Sequence, residues 1–265
     1  SDNMTRGREL EKKYKTTFLV KYDSNGQFIW KKALQGDVIS STRDSGLLDI
    51  VIDSNDIIHF IVGFKAGTHL DSHVTVNTPV TIYQYYLAKY DTAGNYVSSM
   101  QLPIPHNTGF VPPSFTFKLD EARNRYYIGG FRSYVNTNEN IPLTYAGTAF
   151  THNAYVLAID ATNGSEIWRR AMAASLNDDC RIYDLVVDNA NGDLYIAGKC
   201  VISGNPGNFT KMIDPKIPTN NPYSFNLSVS GNMPFIAKLN SSGTVQWART
   251  PTGYNSVSAD TGMYW

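Results

Sequence analysis

The stretch that decides the fold is Phe18-Leu-Val-Lys-Tyr-Asp23-Ser-Asn-Gly26-Gln-Phe-Ile-Trp30. It consists of two apolar runs separated by an Asp-Ser-Asn-Gly turn, which is the sequence pattern of a β-hairpin. The same pattern, called here the first pattern, returns at 86–97, 155–168 and 235–247. Recurrence of this kind indicates a repeat architecture.

A second pattern lies between the copies of the first. Each copy has an Asp, an aromatic residue seven positions later and a Gly ten positions later. The three copies are Asp53, Phe60 and Gly63; Asp120, Tyr127 and Gly130; and Asp188, Tyr195 and Gly198. The second-pattern Asp recurs after 67 and then 68 residues. The last interval of the first pattern, from Asp160 to Asn240, is longer, because it contains a Pro-, Asn- and Ser-rich stretch at 203–232 that is typical of an enlarged loop.

Two hairpins every 68 or so residues predict a four-stranded antiparallel unit. Such a sheet cannot bury both of its faces alone and must stack on its neighbours, so the prediction is an all-β chain, a β-propeller of four-stranded blades. A β-sandwich remains the competing interpretation. A connector is expected at 1–17 and the repeats at 18–265. The hairpins are expected near 18–34, 47–64, 86–102, 114–131, 155–172, 182–200 and 235–250.

Seven hairpins correspond to about three and a half blades. Continuation of the spacing would place the Asp of an eighth hairpin near position 269. Propellers generally close with four to eight blades. We therefore expect these repeats to be part of a larger propeller, completed by the rest of a longer chain or by another subunit.

The alternation of the stretch 235–247 with the stretch 185–198 resembles the bacterial β-propeller repeat often called the SBBP repeat. Ala158-Ile-Asp160-Ala-Thr-Asn-Gly164-Ser-Glu-Ile-Trp168 is also similar to the tryptophan-docking motif of quinoprotein propellers. The first resemblance implies a secreted or surface-exposed binding or structural propeller without a shared catalytic residue set. The second implies a structural Trp wedged between blades, and nothing in the chain matches the quinone ligands of that family.

Composition narrows the classes of function. The chain has 23 basic and 23 acidic side chains and no formal net charge, so no global field would attract nucleic acid or anionic lipid. No apolar run has the length needed to cross a bilayer. Charged residues make up only 17% of the chain, which favours a β-rich extracellular or cell-surface protein, or alternatively a virion protein.

Three tryptophans, Trp30, Trp168 and Trp247, occupy the same place in the first pattern. A stacking platform for sugars is one interpretation. Their identical repeat position favours packing between blades, where an indole buries a large apolar area. The second copy of the pattern has Ser98 at this place.

Two further candidate sites stand out. His69, Asp71 and His73 alternate, so on an extended segment their side chains would share one face and form part of a zinc or copper site; polar residues in a connector are the alternative. Cys180 and Cys200 flank the turn at 189–192 almost symmetrically, so a hairpin would bring them opposite each other as a disulfide or as two buried thiols.

Function is expected in the connectors, because loops can vary without unfolding the blades. The long connectors are 66–81, 103–113, 133–153 and 203–233. We expect a non-enzymatic scaffold that binds a protein or glycan partner and needs no cofactor or catalytic residue. The alternative is a propeller enzyme, either quinone-dependent and dehydrogenase-like or carbohydrate-active.

Overall fold

The computed structural model describes residues 17–38, 46–77, 83–104, 115–131, 144–150, 154–173, 179–202, 211–213 and 231–249. The prediction of an all-β chain is confirmed: the described residues form antiparallel strands, with one 3-10 turn at Glu121–Arg123. The chain divides into two compact units, Ser1–Asn107 and Thr108–Trp265, and each is described by itself.

The first unit contains three sheets. Strands β1 (Phe18–Tyr22) and β2 (Phe28–Ala33) form a two-stranded sheet. A small sheet has the order β3-β6-β7 and consists of β3 (Gln35–Val38), β6 (Gly67–His69) and β7 (Val74–Val76). A four-stranded sheet has the order β4-β5-β8-β9 and consists of β4 (Gly46–Ile52), β5 (Ile57–Phe64), β8 (Gln84–Asp91) and β9 (Tyr96–Gln101).

The second unit contains two larger sheets and a short hairpin. The first sheet, in the order β10-β11-β14-β15-β18, consists of β10 (Phe115–Asp120), β11 (Arg125–Phe131), β14 (Ala154–Asp160), β15 (Glu166–Ala173) and β18 (Lys211–Ile213). The second sheet, in the order β16-β17-β19-β20, consists of β16 (Asp179–Asp188), β17 (Asp193–Ile202), β19 (Gly231–Leu239) and β20 (Val245–Arg249). The short hairpin consists of β12 (Thr144–Tyr145) and β13 (Thr148–Ala149).

The two sequence patterns combine in a fixed order. In each larger sheet a second-pattern hairpin is followed by a first-pattern hairpin, and the two are joined by antiparallel pairing of β5 with β8, β11 with β14, and β17 with β19. The β1–β2 hairpin is a first-pattern hairpin whose sheet contains no second-pattern hairpin among the described residues. Among the described residues, three sheets therefore contain one hairpin of each pattern, and the β1–β2 sheet contains a first-pattern hairpin alone.

An Asp or Asn recurs at the start of the hairpin turns because its side chain accepts hydrogen bonds from the backbone of the turn. Asp23 Oδ1 accepts hydrogen bonds from the backbone N–H groups of Asn25 and Gln27. Asp53, Asp91 and Asn240 accept the same pair of bonds, two and four residues further on. This side-chain bonding adds to the backbone hydrogen bonds of the same turns, such as those from Asp23 N to Gln27 O and from Gly26 N to Asp23 O. The Asp and Asn side chains at these positions are therefore used locally by the turns.

One face of the β4-β5-β8-β9 sheet forms the core of the first unit. Phe60, Tyr86 and Tyr90 on this face are buried, and the cluster also includes Leu19 from the β1–β2 hairpin, with Trp30 packed against it. The hairpin is thus held against the sheet by one of its own faces. The core of the second unit is built in the same way, with Trp168 among its buried residues.

Candidate functional site

In the first unit, Trp30 connects the β1–β2 hairpin to the turn between β8 and β9. Its indole Nε1 donates to the carbonyl oxygen of Thr92 at 3.1 Å, and Lys21 Nζ donates to the same oxygen at 2.8 Å. The ring lies against Gly94, where a Cβ atom would come within 3.3 Å of the indole. The backbone of the turn is therefore the surface on which the indole packs.

In the second unit, Trp168 on β15 makes the corresponding contact with the turn between β19 and β20. Its Nε1 donates to Ser241 O at 3.0 Å, and Arg125 Nη1 donates to the same oxygen at 2.7 Å. Arg170 donates to the carbonyls of Ser242 and Gly243. A Cβ at Gly243 would lie 2.6 Å from the Trp168 ring. Three side chains thus bind the carbonyls of this one turn.

The two contacts use equivalent residues of the repeat. Thr92 and Ser241 each directly follow the turn-forming Asp91 or Asn240, and the Gly beneath the indole is the third residue after it in both cases. Both glycines have positive φ, 87° at Gly94 and 74° at Gly243. In both cases the Trp of one first-pattern hairpin binds the turn of the next first-pattern copy along the chain. We call this arrangement the docked turn.

Trp247, the third candidate for this role, is half-buried beside the Tyr195 ring, with a centroid distance of 6.1 Å, and beneath the Arg249 guanidinium. Within the described residues, no carbonyl accepts a hydrogen bond from its indole. Its docking therefore stays a prediction.

The first-pattern copy with Ser98 has no indole to dock. In the second unit, the turn of the third first-pattern copy is bound by Tyr145 from the β12–β13 hairpin, whose hydroxyl donates to Gly164 O. Tyr145 is completely buried. A side chain from a connector thus binds a turn that belongs to the repeat.

A second-pattern turn is also bound by the neighbouring sheet. Arg123, in the 3-10 turn after β10, donates to Ala190 O at 3.4 Å and is paired with the completely buried carboxylate of Asp120. Ala190 lies in the turn between β16 and β17. Contact through turn carbonyls is therefore not restricted to the first pattern.

The β12–β13 hairpin is fixed to β15 by a buried arginine. Arg169 has no exposed surface; it pairs with Glu166, donates to the carbonyls of Tyr145 and Thr148, and lies over the Phe150 ring. A buried guanidinium needs a charge partner and hydrogen-bond acceptors, and both are supplied here. The arrangement holds a connector hairpin rigidly against the sheet.

The proposed metal-binding group does not have the geometry that the sequence argument assumed. Leu70, Asp71 and Ser72 have positive φ values of 51°, 54° and 73°, so the segment after β6 turns and does not meet the condition of an extended backbone. In the described part of the chain, no group of three His, Cys, Asp or Glu residues is arranged to hold a metal ion.

Each of the three side chains has a different neighbour. His69 is buried, stacks on Phe64 and places Nε2 2.8 Å from the Lys65 carbonyl. Burial lowers the pKa of His69, and the hydrogen bond to Lys65 acts in the opposite direction. Asp71 pairs with Lys32 at 3.1 Å, and His73 stacks on Tyr96. The three residues therefore have separate packing and pairing roles.

Cys180 on β16 lies opposite Cys200 on β17 in the strand register. The disulfide between them stays a prediction.

The buried His59 of β5 is paired with the part-buried carboxylate of Asp53, in the turn between β4 and β5. His59 Nε2 is 3.0 Å from Asp53 Oδ2. Burial acts to raise the pKa of Asp53, but hydrogen bonds from the Ile57 and Asn55 amides and the contact with His59 hold that pKa below its ordinary value. The pair fastens the turn that joins β4 to β5.

Sequence reasoning located the tryptophans but missed the groups that receive them and the cations that help them: Lys21, Thr92, Arg125, Arg170 and Ser241. One signal was present, since Gly94 and Gly243 hold the same place after the turn residue. The connectors predicted to carry function, 66–81, 103–113, 133–153 and 203–233, lie largely outside the described residues, with the exceptions of the segments around β6, β7, β12, β13 and β18.

A scan against models of protein families finds no match to this chain, and a search of curated proteins finds none either.

Among the described residues, no helix has both the length and the apolar character needed to cross a membrane.

Proposed function

We propose that the chain is a non-enzymatic β-propeller scaffold of a secreted, cell-surface or virion-associated assembly, which presents its connectors to a protein or glycan partner. The observation that carries the proposal is the docked turn, because the same contact joins neighbouring sheets at equivalent repeat positions in both units.

A repeated contact has a geometric consequence. When one unit is joined to the next through the same atoms each time, successive units are related by nearly the same rotation, and this is the basis of ring-like and solenoid repeat proteins. Four-stranded antiparallel sheets arranged in this way form propeller blades. The docked turn therefore supports a propeller more directly than the strand order alone.

The buried ionisable groups support a scaffold role because they bind backbone or one another. Arg169 pairs with Glu166 and fastens the β12–β13 hairpin, and Asp120 pairs with Arg123 beside the β16–β17 turn. Groups used in this way stabilise loops and turns. Removal of one partner would leave the other charge buried and unpaired, which should lower the free energy of unfolding by about 3–5 kcal/mol for each pair.

The β12–β13 hairpin is the best described candidate for a recognition surface. It lies in the connector 133–153, and Arg169 holds it from below. Its tip and outer strand, Ala146 to Ala149, are exposed. A rigidly held, exposed hairpin loses little conformational freedom when a partner binds.

The proposal can be tested on a printed glycan array and by crosslinking to intact cells. We expect binding without turnover, and we expect Thr148→Glu to weaken it at least tenfold. The matched control is Ser98→Glu, which places the same charge on an exposed position of β9 and should bind like the unchanged chain. Cleavage of an arrayed saccharide, the visible absorbance of a bound quinone, or the absence of any binding would contradict the proposal.

A further inference from the structure

The β1–β2 hairpin is the one described first-pattern hairpin that is not extended by a second-pattern hairpin. Strands β8, β14 and β19 each pair on both sides, with their own hairpin partner and with a second-pattern strand. The β1 strand pairs with β2, and within the described residues no strand lies along its other edge.

The hydrogen-bonding groups of that edge can be assigned from the register. The Leu34 amide donates to Thr17 O, and the Leu102 amide makes the equivalent bond to Tyr85 O. Antiparallel pairs alternate between bonded and non-bonded, so Leu19 and Lys21 bond toward β2, whereas the N–H groups of Phe18, Val20 and Tyr22 point to the open edge. The equivalent residues of β8 are opposite β5.

The side chains of the same residues differ in burial between β1 and its equivalents. Phe18 is 51% exposed and Tyr22 is 58% exposed. The equivalents of Phe18 are Tyr86, Tyr155 and Phe235, with 8%, 1% and 2% exposed; the equivalents of Tyr22 are Tyr90, Ile159 and Leu239, each with 0% exposed. The opposite face of β1 is already packed, since Leu19 belongs to the core of the first unit.

The complete sheet shows which side chains cover these positions. Phe60 on β5 stacks on Tyr90 with a centroid distance of 5.9 Å, and Phe64 on β5 contacts Tyr86 at 6.2 Å. The edge-to-face pair of Tyr90 with Tyr96 is reproduced in the β1–β2 hairpin by Tyr22 with Phe28. In the part of the chain that the structure describes, no second-pattern strand supplies the corresponding aromatic residue beside Tyr22.

We infer that the open edge of β1 is a binding site for a β-hairpin of the second pattern, whose second strand pairs antiparallel with β1. In a hairpin with the register of β10–β11, the aromatic residue seven positions after the Asp would lie against Trp30, whereas the residue before it would lie against Tyr22 on the opposite face. In the sheets that have a Trp, this aromatic residue is close to it, as with Tyr127 and Trp168 at 5.7 Å. The inference goes beyond the proposed function and does not depend on a closed ring or on a partner bound by the connectors.

The test supplies such a hairpin to the full chain. A copy of the segment 115–131 is placed before Ser1, so that residues 1–17 serve as its connection to β1, comparable in length to the connection 65–83 between β5 and β8. Linkage at this length keeps the effective concentration high, at about the millimolar level. Amide hydrogen exchange is then measured at Val20 and Tyr22.

We expect exchange at both amides to slow at least tenfold relative to the chain without the added copy. Two matched variants locate the cause. Val20→Pro removes the amide that points to the open edge and leaves the bonds to β2, so Tyr22 should lose its added protection, whereas Val20→Thr should keep it. Tyr→Ser at the position of Tyr127 in the added copy should weaken protection at both amides.

Equal exchange with and without the added copy would overturn the inference. So would protection that is unchanged by Val20→Pro, because pairing along β1 could not then be its cause. The scaffold proposal would survive either result, since the docked turns of Trp30 and Trp168 do not involve this edge.

Discussion

The two docked turns make the same contact to different depths. Trp168 is 6% exposed and is joined by two arginines, whereas Trp30 is half-buried and is joined by one lysine. The common element is an indole N–H bound to the carbonyl that follows the turn-forming residue, packed on a Gly. The Trp and the turn therefore define the contact, whereas the cations around it vary.

The largest expected effect is the loss of the deeper indole. Trp168→Ala should lower the free energy of unfolding by about 3–5 kcal/mol, the usual cost of truncating a buried aromatic residue. Trp30→Ala should cost about half as much, because less of its surface is removed from water. Urea denaturation of each variant measures both. Equal losses at the two sites would contradict the difference in depth.

The turn glycines give a three-way comparison, because two of them lie beneath an indole and one does not. Gly26, Gly94 and Gly243 have positive φ values of 78°, 87° and 74°, but a Cβ would meet nothing within 4 Å at Gly26, the Trp30 ring at 3.3 Å at Gly94 and the Trp168 ring at 2.6 Å at Gly243. Substitution by Ala should cost about 1 kcal/mol at Gly26 from the backbone alone.

We expect the cost to rise from Gly26→Ala to Gly94→Ala and again to Gly243→Ala, the last by a further 1–3 kcal/mol or so from overpacking. Thermal melting of the three variants gives the order directly. A cost at Gly26 as large as that at Gly243 would show that the indole contact contributes nothing beyond the turn.

The smallest expected effect is a change in the pH dependence of stability when the turn residue Asp91 is replaced. Hydrogen bonds from the Asn95 amide and side chain hold the pKa of Asp91 below its ordinary value of 3.8. A depressed folded-state pKa contributes stability above the unfolded-state pKa, and this contribution is lost as the pH falls through the folded value. Asn240 holds the equivalent place without a titrating group.

Asp91→Asn should therefore make stability less dependent on pH below about 4, while leaving it nearly unchanged at pH 7. The Asn side chain can still accept the bonds that close the turn, as Asn240 does. Urea denaturation at a series of pH values between about 2 and 7 provides the measurement. An unchanged acid dependence would mean that Asp91 does not contribute to it.

The local part of the fold could be predicted from the sequence because it depends on short-range chemistry. An Asp followed by a Gly specifies a turn, and alternating apolar residues specify the strands on each side, so all seven hairpins lie close to the expected positions. The acceptors of Trp30 and Trp168 could not be predicted. They are 62 and 73 residues away, and a backbone carbonyl has no sequence signature.

At the candidate sites, too, the sequence does not reveal contacts that depend on distant partners or on an unsignalled backbone conformation. The argument for His69, Asp71 and His73 assumed an extended backbone, and the left-handed run after His69 has no Gly to signal it. The role of Arg169 was missed because its partners, Tyr145 and Thr148, lie in a connector without a repeat. The opposition of Cys180 and Cys200 in the register was accessible because it follows from the hairpin alone.

The most direct test of the repeat architecture is an experimental structure of the chain in which the rotation between sheets is measured within each unit. One rotation superimposes the β1–β2 hairpin on β8–β9, and the other superimposes β14–β15 on β19–β20. If equivalent docked turns relate the sheets of a propeller, the two rotations should agree within a few degrees and lie between about 45° and 90°, as eight to four blades require. Two unrelated rotations, or indoles that do not contact Thr92 and Ser241, would contradict it.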